Sequence, residues 1–171
     1  MTTESVAIVV VTYNRADLLE RMLEGLTTLD PQPDAVIVVD NASTDRTRVV
    51  LEGAAVQVIR SEDNLGGAGG FHLGVQAAYE QGYDRIWLMD DDVIPATDCL
   101  GVLLALDEDC LMAVREDSKG DLAEYAATRF DLSRPWAIKP KTASVVGTYA
   151  TRASMPETVP LENVAFGGFM I

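Results

Sequence analysis

Residues 6–15 read Val-Ala-Ile-Val-Val-Val-Thr-Tyr-Asn-Arg, and this stretch decides the fold class. Its first six residues are all apolar and mostly β-branched, without the alternation of polar and apolar side chains that a one-sided strand shows. Such a run predicts a strand that is buried on both faces. Strands of this kind belong to parallel sheets that carry helices on each side.

Further apolar runs follow at regular intervals, with helical patterns between them. The sequence predicts strands at residues 35–39, 56–59 and 85–89, and helices at residues 18–26 and 66–81. Strands that alternate with helices indicate right-handed βαβ units. We therefore expect an α/β fold with a mostly parallel sheet and helices on both faces.

The pattern weakens after Pro95. The sequence predicts a helix at 100–106, a strand at 110–114, a short strand at 143–149 within an irregular region, and a last strand at 164–171. The chain ends on apolar residues without a cap or a polar tail, although termini are usually exposed. We therefore expect the natural protein to continue past Ile171.

The composition argues against several classes of partner. The chain carries 13 basic and 27 acidic residues, a formal charge of −14, so it lacks the basic face that nucleic acids require. The same charge opposes docking on an anionic membrane. No stretch is long and apolar enough to predict a membrane span. Cys99 and Cys110 have no metal-type spacing, which indicates free thiols in a cytoplasmic protein.

Polar side chains follow each of the four predicted strands. They are Thr12 to Arg15 after the first, Asp40 and Asn41 after the second, Asp63 and Asn64 after the third, and Asp90 to Asp92 after the fourth. Each set alone could form a turn or a helix cap, for example through Asn14 or Asp17, or through Asp40 with Ser43. Ligands bind at the carboxyl ends of parallel strands, so the joint pattern predicts a ligand site.

The triple aspartate carries the most chemical information. A buried strand leads directly into Asp90, Asp91 and Asp92, whose carboxylates repel one another unless a cation or hydrogen-bond donors offset the charge. Hard oxygen ligands suit Mg²⁺ or Mn²⁺, which often share their coordination shell with phosphates. If strand geometry continues, Asp90 and Asp92 lie on one side and Asp91 on the other. The alternative is a solvated acidic turn in which Asp92 caps a helix near Pro95.

A glycine-rich segment opens the helix after the third strand. Residues 66–72 read Gly-Gly-Ala-Gly-Gly-Phe-His, which lacks the third glycine of the dinucleotide fingerprint and follows the wrong strand for it. No Lys-Ser or Lys-Thr pair follows, so the segment is not a P-loop. Two explanations stay open: close approach of an anionic ligand to the helix start, and close packing of the helix on the sheet.

Four segments together resemble glycosyltransferase family 2. They are Val-Thr-Tyr-Asn-Arg at 11–15, Val-Val-Asp-Asn-Ala-Ser-Thr-Asp at 38–45, Asn-Leu-Gly-Gly-Ala-Gly-Gly-Phe at 64–71, and Leu-Met-Asp-Asp-Asp at 88–92. The segments occur in that family's order and at its usual intervals. The third segment and the triple aspartate are most similar to its galactofuranosyltransferase and rhamnosyltransferase-like branches.

The resemblance implies a GT-A type fold with a Rossmann-like sheet. Residues 1–95 would form the nucleotide-sugar-binding half, and residues 96–171 would continue the same domain toward the acceptor-binding half, incomplete at Ile171. It also implies inverting transfer from a UDP- or dTDP-sugar, such as UDP-galactofuranose or dTDP-rhamnose, to a hydroxyl of a glycan or glycolipid acceptor.

The resemblance further assigns the donor site. Tyr13 and Arg15 would flank the nucleotide, Asp40 would accept a hydrogen bond from a pyrimidine base, and Asn64 would lie near the nucleotide or its sugar. The expected nucleotide-binding set is Thr12, Tyr13, Arg15, Asp40, Asn64, Gly67, Asp90 and Asp91.

A divalent ion and a general base complete what the resemblance implies. Asp90 and Asp92 would hold Mn²⁺ or Mg²⁺ between the two phosphates, with Asp91 kept open as a ligand or as a contact to the ribose. The ion would neutralise the leaving diphosphate. The family places its base after a Gly-Gly strand that resembles residues 166–169, so we expect the base beyond Ile171.

Two alternatives remain at this point. A phosphatase of the haloacid dehalogenase type also uses two aspartates separated by one residue, but it carries them on its first strand and before a threonine, whereas Val93 follows here. The other alternative is a non-catalytic nucleotide- or sugar-binding module.

For the transferase, we expect a place in cell-wall or polysaccharide synthesis on the cytoplasmic side, at the inner face of the plasma membrane. The oligomeric state is open, with a homo-oligomer among the options.

Overall fold

The structure is a computed structural model that describes residues 4–106, 108–131, 133, 141–163 and 168–171. The chain divides into two compact units. The first comprises Met1–Leu111 and Phe166–Ile171, and the second comprises Met112–Ala165. All the nucleotide- and metal-binding residues predicted from the sequence belong to the first unit.

The described elements alternate between strand and helix over the first ninety residues. In chain order they are β1 (Val6–Thr12), α1 (Ala16–Leu26), β2 (Ala35–Asp40), α2 (Thr47–Glu52), β3 (Gln57–Arg60), α3 (Gly66–Glu80), β4 (Arg85–Asp90), α4 (Cys99–Leu104), β5 (Leu111–Met112), β6 (Ala127–Phe130), β7 (Lys141–Ser144), α5 (Val145–Thr148) and β8 (Phe169–Met170). A short 3₁₀ helix, Arg152–Ser154, lies between α5 and β8.

In the described part of the chain, the main sheet has the strand order β3-β2-β1-β4-β8-β5. The pairs β1–β2, β1–β4 and β2–β3 are parallel, and β8 runs antiparallel to β4. The predicted α/β fold with a mostly parallel sheet is therefore confirmed. Among the described residues, no helix combines the length and the apolar character that a bilayer crossing needs.

The first strand is buried on both faces, as its apolar run predicts. Val6, Ile8 and Val10 belong to a core cluster that includes buried residues of α1, α2 and α4. Ala7 and Val9 belong to a second cluster that includes buried residues of α3. Successive side chains of a strand point to opposite faces, so β1 anchors both layers of helices.

Two glycines of α3 allow this helix to lie close to the sheet. A Cβ atom added to Gly70 would lie 2.5 Å from a methyl carbon of Val11, and one added to Gly74 would lie 2.3 Å from a methyl carbon of Val9. Gly67 has no such neighbour within 4 Å. Close packing therefore explains Gly70 and Gly74, and it does not explain Gly67.

The segments after residue 95 differ most from the sequence-based prediction. The strand predicted at 110–114 is limited to Leu111–Met112, and the helix predicted at 100–106 spans Cys99–Leu104. The strand predicted at 143–149 is wrong after Ser144, because Val145–Thr148 is helical. Of the strand predicted at 164–171, residues 164–167 lie outside the described residues, and Phe169–Met170 is strand.

Local hydrogen bonds explain the helical turn at Val145–Thr148. Tyr149 N donates to Val145 O at 2.9 Å, and Thr148 Oγ1 donates to Ser144 O at 2.8 Å. Val145 is buried and its N donates to Ala126 O at 3.1 Å. Burial and these bonds decide the conformation here, because the strand preference of β-branched residues depends strongly on context.

The packing of α3 gives a first testable prediction. Substitution Gly74→Ala should lower the free energy of unfolding by about 1–3 kcal/mol, because the added methyl group overpacks the contact with β1. Urea unfolding monitored by circular dichroism measures this change. The matched control is Gly67→Ala in the same helix, which meets open space and should cause no comparable loss. Equal stability of the two variants would contradict the packing explanation.

Candidate functional site

The ends of the four parallel strands form one polar edge. Thr12 at the end of β1 is in register with Asp40 at the end of β2, and Asp40 is in register with Arg60 at the end of β3. On the other side of β1, Val11 pairs with Asp90 at the end of β4. The structure thus brings together polar residues that are up to 78 positions apart, counted from Thr12 to Asp90. We call this row of strand ends the polar edge.

Asp91 is the most buried aspartate of the triple, with 2% of its surface exposed. Thr12 Oγ1 donates a hydrogen bond to its Oδ2 at 2.8 Å, and Arg15 Nη1 donates to its Oδ1 at 2.6 Å. Burial raises the pKa of Asp91, while the Thr12 hydrogen bond and the Arg15 charge act in the opposite direction. Both carboxylate oxygens of Asp91 are therefore engaged inside the protein.

Arg15 also binds the next carboxylate along the chain. Its Nη2 lies 2.7 Å from Oδ2 of Asp92, whose side chain is 43% exposed. The hydrogen bond to Asp92 raises the pKa of Arg15, and the charges of the neighbouring aspartates raise it further. Partial burial of the guanidinium acts in the opposite direction. Arg15 is thus a cation that offsets the repulsion among these carboxylates. The sequence predicts that a cation or hydrogen-bond donors do this, but it does not identify Arg15 as the cation.

The aspartates do not form a ready-made metal cage. Within the described ranges, no group of three or more His, Cys, Asp or Glu side chains is arranged to hold a metal ion. Strand β4 ends at Asp90, so Asp91 and Asp92 lie in a turn, and the strand alternation invoked for Asp92 stops at Asp90. Asp92 does not cap the next helix, because α4 begins at Cys99 with Asp98 as its N-cap residue.

Asp40 lies beside Arg60 in the middle of the polar edge. Its Oδ1 accepts a hydrogen bond from Ser43 N at 2.8 Å. Oδ2 lies 3.4 Å from Arg60 Nη1, within ion-pair range, but it has no hydrogen-bond partner among the described residues. Arg60 Nη2 donates to Ser43 O at 3.1 Å. A cavity of about 330 Å³ adjoins this group and is lined by Ala42, Ser43, Thr44, Arg60, Ser61 and Glu62.

Two residues with positive φ lie in the loops after β1 and β2. Asn14 has a φ of 53° and Ala42 a φ of 65°, a region that residues other than glycine rarely adopt. Asn14 Oδ1 accepts a hydrogen bond from Thr44 N at 2.7 Å, and Asn14 N donates to Ser43 Oγ at 3.0 Å. The loops after β1 and β2 are therefore tied together. Backbone strain of this kind is often found at functional sites.

The helix-cap role suggested for Asn14 or Asp17 is wrong. The N-cap residue of α1 is Arg15, whose own side chain makes no capping hydrogen bond. Asn14 binds the neighbouring loop instead, and Asp17 lies in the first turn of α1, where its Oδ1 is 2.7 Å from Arg46 Nη2. Asp45 from the second loop accepts the hydrogen bond of Ala16 N at 3.1 Å.

Asn41 and Asn64 organise the start of α3. The Nδ2 group of the buried Asn41 donates to Asn64 Oδ1 at 2.9 Å and to Gly66 O at 3.0 Å, and its Oδ1 accepts from Leu65 N at 2.9 Å. Asn64 Oδ1 also accepts from Gly66 N at 2.9 Å. The amide oxygen of Asn64 therefore holds the loop, and Gly66, with a φ of 68°, turns the chain into the helix.

The remaining predicted site residues lie at the same edge and are accessible. Tyr13 is 43% exposed, in the loop after Thr12. Gly67 is exposed in the first turn of α3, and a Cβ atom there would have no neighbour within 4 Å. A ligand can therefore approach the backbone at this turn without displacing a side chain.

Sequence reasoning missed Arg60 and the supporting role of Asn41. The signal for Arg60 is a basic residue that ends the third strand, but its contact with Asp40 depends on the register between β2 and β3, which the sequence does not show. The sequence indicates Asn41 only as a strand-end residue. Its burial, with 2% of its surface exposed, marks it as structural.

Comparison with known proteins places this chain in a family. Residues 7–155 match the family described as Glycosyl transferase family 2. Galactofuranosyltransferase GlfT1 from Mycobacterium tuberculosis is 38% identical over 169 residues, which is 95% of this chain and 55% of that protein. GlfT1 from Mycolicibacterium smegmatis is 45% identical over 106 residues, which is 60% of this chain and 35% of that protein. The chain thus spans about half the length, or less, of these curated relatives.

A solved structure supports the same assignment. The mannosyltransferase PcManGT from Pyrobaculum calidifontis, in complex with GDP-Man and Mn²⁺, superposes with a TM-score of 0.59 at 25% identity, over 68% of this chain and 37% of that protein. The match of fold, together with the family match over most of the chain, shows that this protein belongs to glycosyltransferase family 2, with a GT-A fold and a relationship to the galactofuranosyltransferases.

Proposed function

We propose that the protein is an inverting glycosyltransferase whose polar edge binds a UDP- or dTDP-sugar. UDP-galactofuranose and dTDP-rhamnose are the candidate donors, and the GlfT1 relatives favour the first. The observation that carries the proposal is the polar edge, where Thr12, Arg15 and Asp91 form one bonded group beside the unpaired oxygen of Asp40. Residues 1–95 would form the donor half, and residues 96–171 would lead toward the acceptor half.

The base would bind at Asp40. This carboxylate is held by Ser43 N and keeps one oxygen without a donor, so the N–H group of a pyrimidine imide can supply the missing hydrogen bond. Tyr13, which is 43% exposed in the adjacent loop, offers a ring that can flank the nucleotide.

The phosphates would lie nearer to β4. Arg15 carries a positive charge there, and the exposed first turn of α3 at Gly67 offers backbone N–H groups without side-chain bulk. Helix starts of this kind favour negatively charged groups. Asn64, whose amide oxygen holds the loop before α3, would lie beside the nucleotide or its sugar.

The residues at the end of β4 fit a divalent ion such as Mn²⁺ or Mg²⁺. Asp92 is 43% exposed and uses only Oδ2 in its contact with Arg15, and hard carboxylate oxygens suit these ions. One or two carboxylates together with substrate phosphates are a common ligand set, so a cage of protein ligands is not required. We propose Asp92 and Asp90 as the ligands, and Asp91, whose oxygens bind Thr12 and Arg15, as their support. Its contact with the ribose remains a prediction.

The chemical step needs charge neutralisation and an attacking hydroxyl. When bound, the ion supplies positive charge that stabilises the leaving diphosphate. The acceptor hydroxyl would attack the opposite face of the sugar, which inverts the configuration, and a carboxylate would take its proton. We propose that this general base lies beyond Ile171.

The acceptor and the cellular setting rest on the family relationship. The GlfT1 relatives favour a hydroxyl of a cell-wall glycan or of a lipid-linked glycan as the acceptor. We propose that transfer occurs on the cytoplasmic side, at the inner face of the plasma membrane, and that the protein can form a homo-oligomer.

The alternatives from the sequence are less well supported. The family match favours a transferase over a phosphatase of the haloacid dehalogenase type, and the aspartates follow β4, not the first strand. A non-catalytic binding module would use the same edge without turnover. Transfer of labelled sugar to a glycan acceptor separates this module from the enzyme.

Thermal shift measurements test the donor site and the metal ligand together. We expect UDP or dTDP at a hundredfold excess over its dissociation constant to stabilise the protein by about 2.7 kcal/mol relative to the ligand-free protein. GDP or ADP at the same concentration should stabilise it less. Mn²⁺ should increase this shift. The variant Asp92→Asn should lose the Mn²⁺-dependent increase, because it keeps the size of the side chain and removes its charge.

The control variant for Asp92→Asn is Glu108→Gln. It removes one exposed acidic charge near the start of β4, where Arg85 Nη1 donates to Glu108 O at 2.9 Å, at the opposite end of the strand from Asp92. This variant should keep the full Mn²⁺ effect. If Asp92→Asn keeps it as well, Asp92 is not a metal ligand.

Calorimetry without metal tests the role of Asp40. Substitution Asp40→Ala should weaken binding of the preferred pyrimidine diphosphate by about 1–3 kcal/mol, the usual value of a hydrogen bond to a charged group. Asp63→Ala, which removes an exposed carboxylate after β3, is the charge-matched control and should not weaken binding. Unchanged affinity in a folded Asp40→Ala variant would mean that Asp40 serves only the turn with Ser43.

A further inference from the structure

The unpaired oxygen of Asp40 lies under the side chain of Arg60. Asp40 is 1% exposed, and its Oδ2 has no hydrogen-bond partner among the described residues. Buried polar atoms are almost always paired in folded proteins. The guanidinium of Arg60, 3.4 Å away, compensates the charge but does not make this bond.

Arg60 can do more than hold this carboxylate. Its side chain is 48% exposed and lines the cavity of about 330 Å³, and its hydrogen bond from Nη2 to Ser43 O uses one N–H. A guanidinium has five N–H donors. Arg60 therefore has donors to offer to a group in the cavity.

Asp40 Oδ2 is an acceptor and Arg60 carries N–H donors beside it, so the two side chains together determine which edge of a nucleotide base can bind. Uracil and thymine present an N3–H donor beside the O4 acceptor, which matches Asp40 Oδ2 and an N–H of Arg60. Cytosine has an amino group at this position and an acceptor at N3, so both of its contacts would be unfavourable, and adenine has the same reversed pattern. Guanine presents the same N–H and carbonyl pair with an additional amino group, so the pair of Asp40 and Arg60 distinguishes uracil and thymine from cytosine and adenine.

The strand order, together with the proposed position of the phosphates, favours O4 as the carbonyl that faces Arg60. Strand β3 lies at the edge of the sheet, and β2 separates it from β1 and β4, which carry Arg15 and the aspartates. A nucleotide with its phosphates near β4 and its base at Asp40 would direct the base atom farthest from the ribose toward β3. In uracil that atom is O4.

We propose that Arg60 is a specificity-determining residue for the donor, which selects uracil or thymine by donating a hydrogen bond to O4 while Asp40 Oδ2 accepts from N3–H. Its side chain moves off Oδ2 when the base enters, which its exposure permits. This assignment rests on the proposed donor site and extends it from nucleotide binding to the choice of base.

The test is the ratio of affinities for UDP and CDP, measured by calorimetry without metal. Both ligands carry the same phosphates, so a general effect of charge cancels in the ratio. The wild-type protein should favour UDP. Arg60→Met should lower the UDP-to-CDP ratio by about tenfold, mainly through weaker UDP binding, because a hydrogen bond to a charged group is lost.

The control variant is Arg48→Met. Arg48 lies on α2, where its side chain is 72% exposed and pairs with Glu52, so this variant removes an arginine charge away from the cavity and should keep the ratio. If wild-type protein binds no nucleoside diphosphate, the donor site and the role of Arg60 both fail. If it binds UDP and the ratio is unchanged in Arg60→Met, only the role of Arg60 fails.

A second ligand decides the question if Arg60→Met does not fold. 4-Thio-UDP replaces O4 by sulfur, a weaker acceptor, and leaves N3–H in place. Wild-type protein should bind it several-fold more weakly than UDP. Equal affinity would overturn the contact between Arg60 and O4.

Discussion

The ion pairs between Arg15 and two aspartates are the interaction on which the polar edge depends. Asp91 is almost completely buried, and burial alone would favour its neutral form. Arg15 at 2.6 Å and Thr12 at 2.8 Å stabilise the charged form, and the second arm of Arg15 holds Asp92 at 2.7 Å. Because Thr12 ends β1, Arg15 follows it, and Asp91 and Asp92 follow β4, the same contacts also join the ends of two neighbouring strands where the ligand is expected.

The loops around these contacts are held by further hydrogen bonds. Asn14 adopts a left-handed conformation and binds the backbone of the loop after β2, so its strain is offset by contacts that fix two loops at once. The side chain of Asn41 binds the backbone of the loop before α3, at Leu65 N and Gly66 O. These bonds hold the loops of the polar edge in place, which lowers the conformational cost of binding a ligand.

Local sequence was sufficient to predict the elements that carry strong periodic patterns. The unbroken and mostly β-branched apolar run of β1 indicated a strand buried on both faces, and the rule for parallel sheets marked the polar residues after each strand as a ligand site. The short segments after residue 95 were less predictable. Val145–Thr148 is rich in β-branched residues, yet burial of Val145 and local hydrogen bonds make it helical.

The parts of the site that escaped prediction depend on three-dimensional neighbours. The contact between Arg60 and Asp40 requires the β2–β3 register, and the cation beside the aspartates comes from a residue 76 positions earlier in the chain. The glycine-rich segment shows the same limit within one helix. Gly70 and Gly74 pack against β1, whereas Gly67 meets open space, and only the structure separates these two explanations.

The central claim is that the polar edge binds a nucleotide together with a divalent ion. The most direct measurement is a crystal structure of the protein with UDP and Mn²⁺, with the ion located by its anomalous scattering. We predict the manganese signal at the carboxylate of Asp92, beside the diphosphate, and the uracil against Asp40 at the end of β2. A manganese signal away from Asp90 and Asp92, or a base bound away from Asp40, would contradict it.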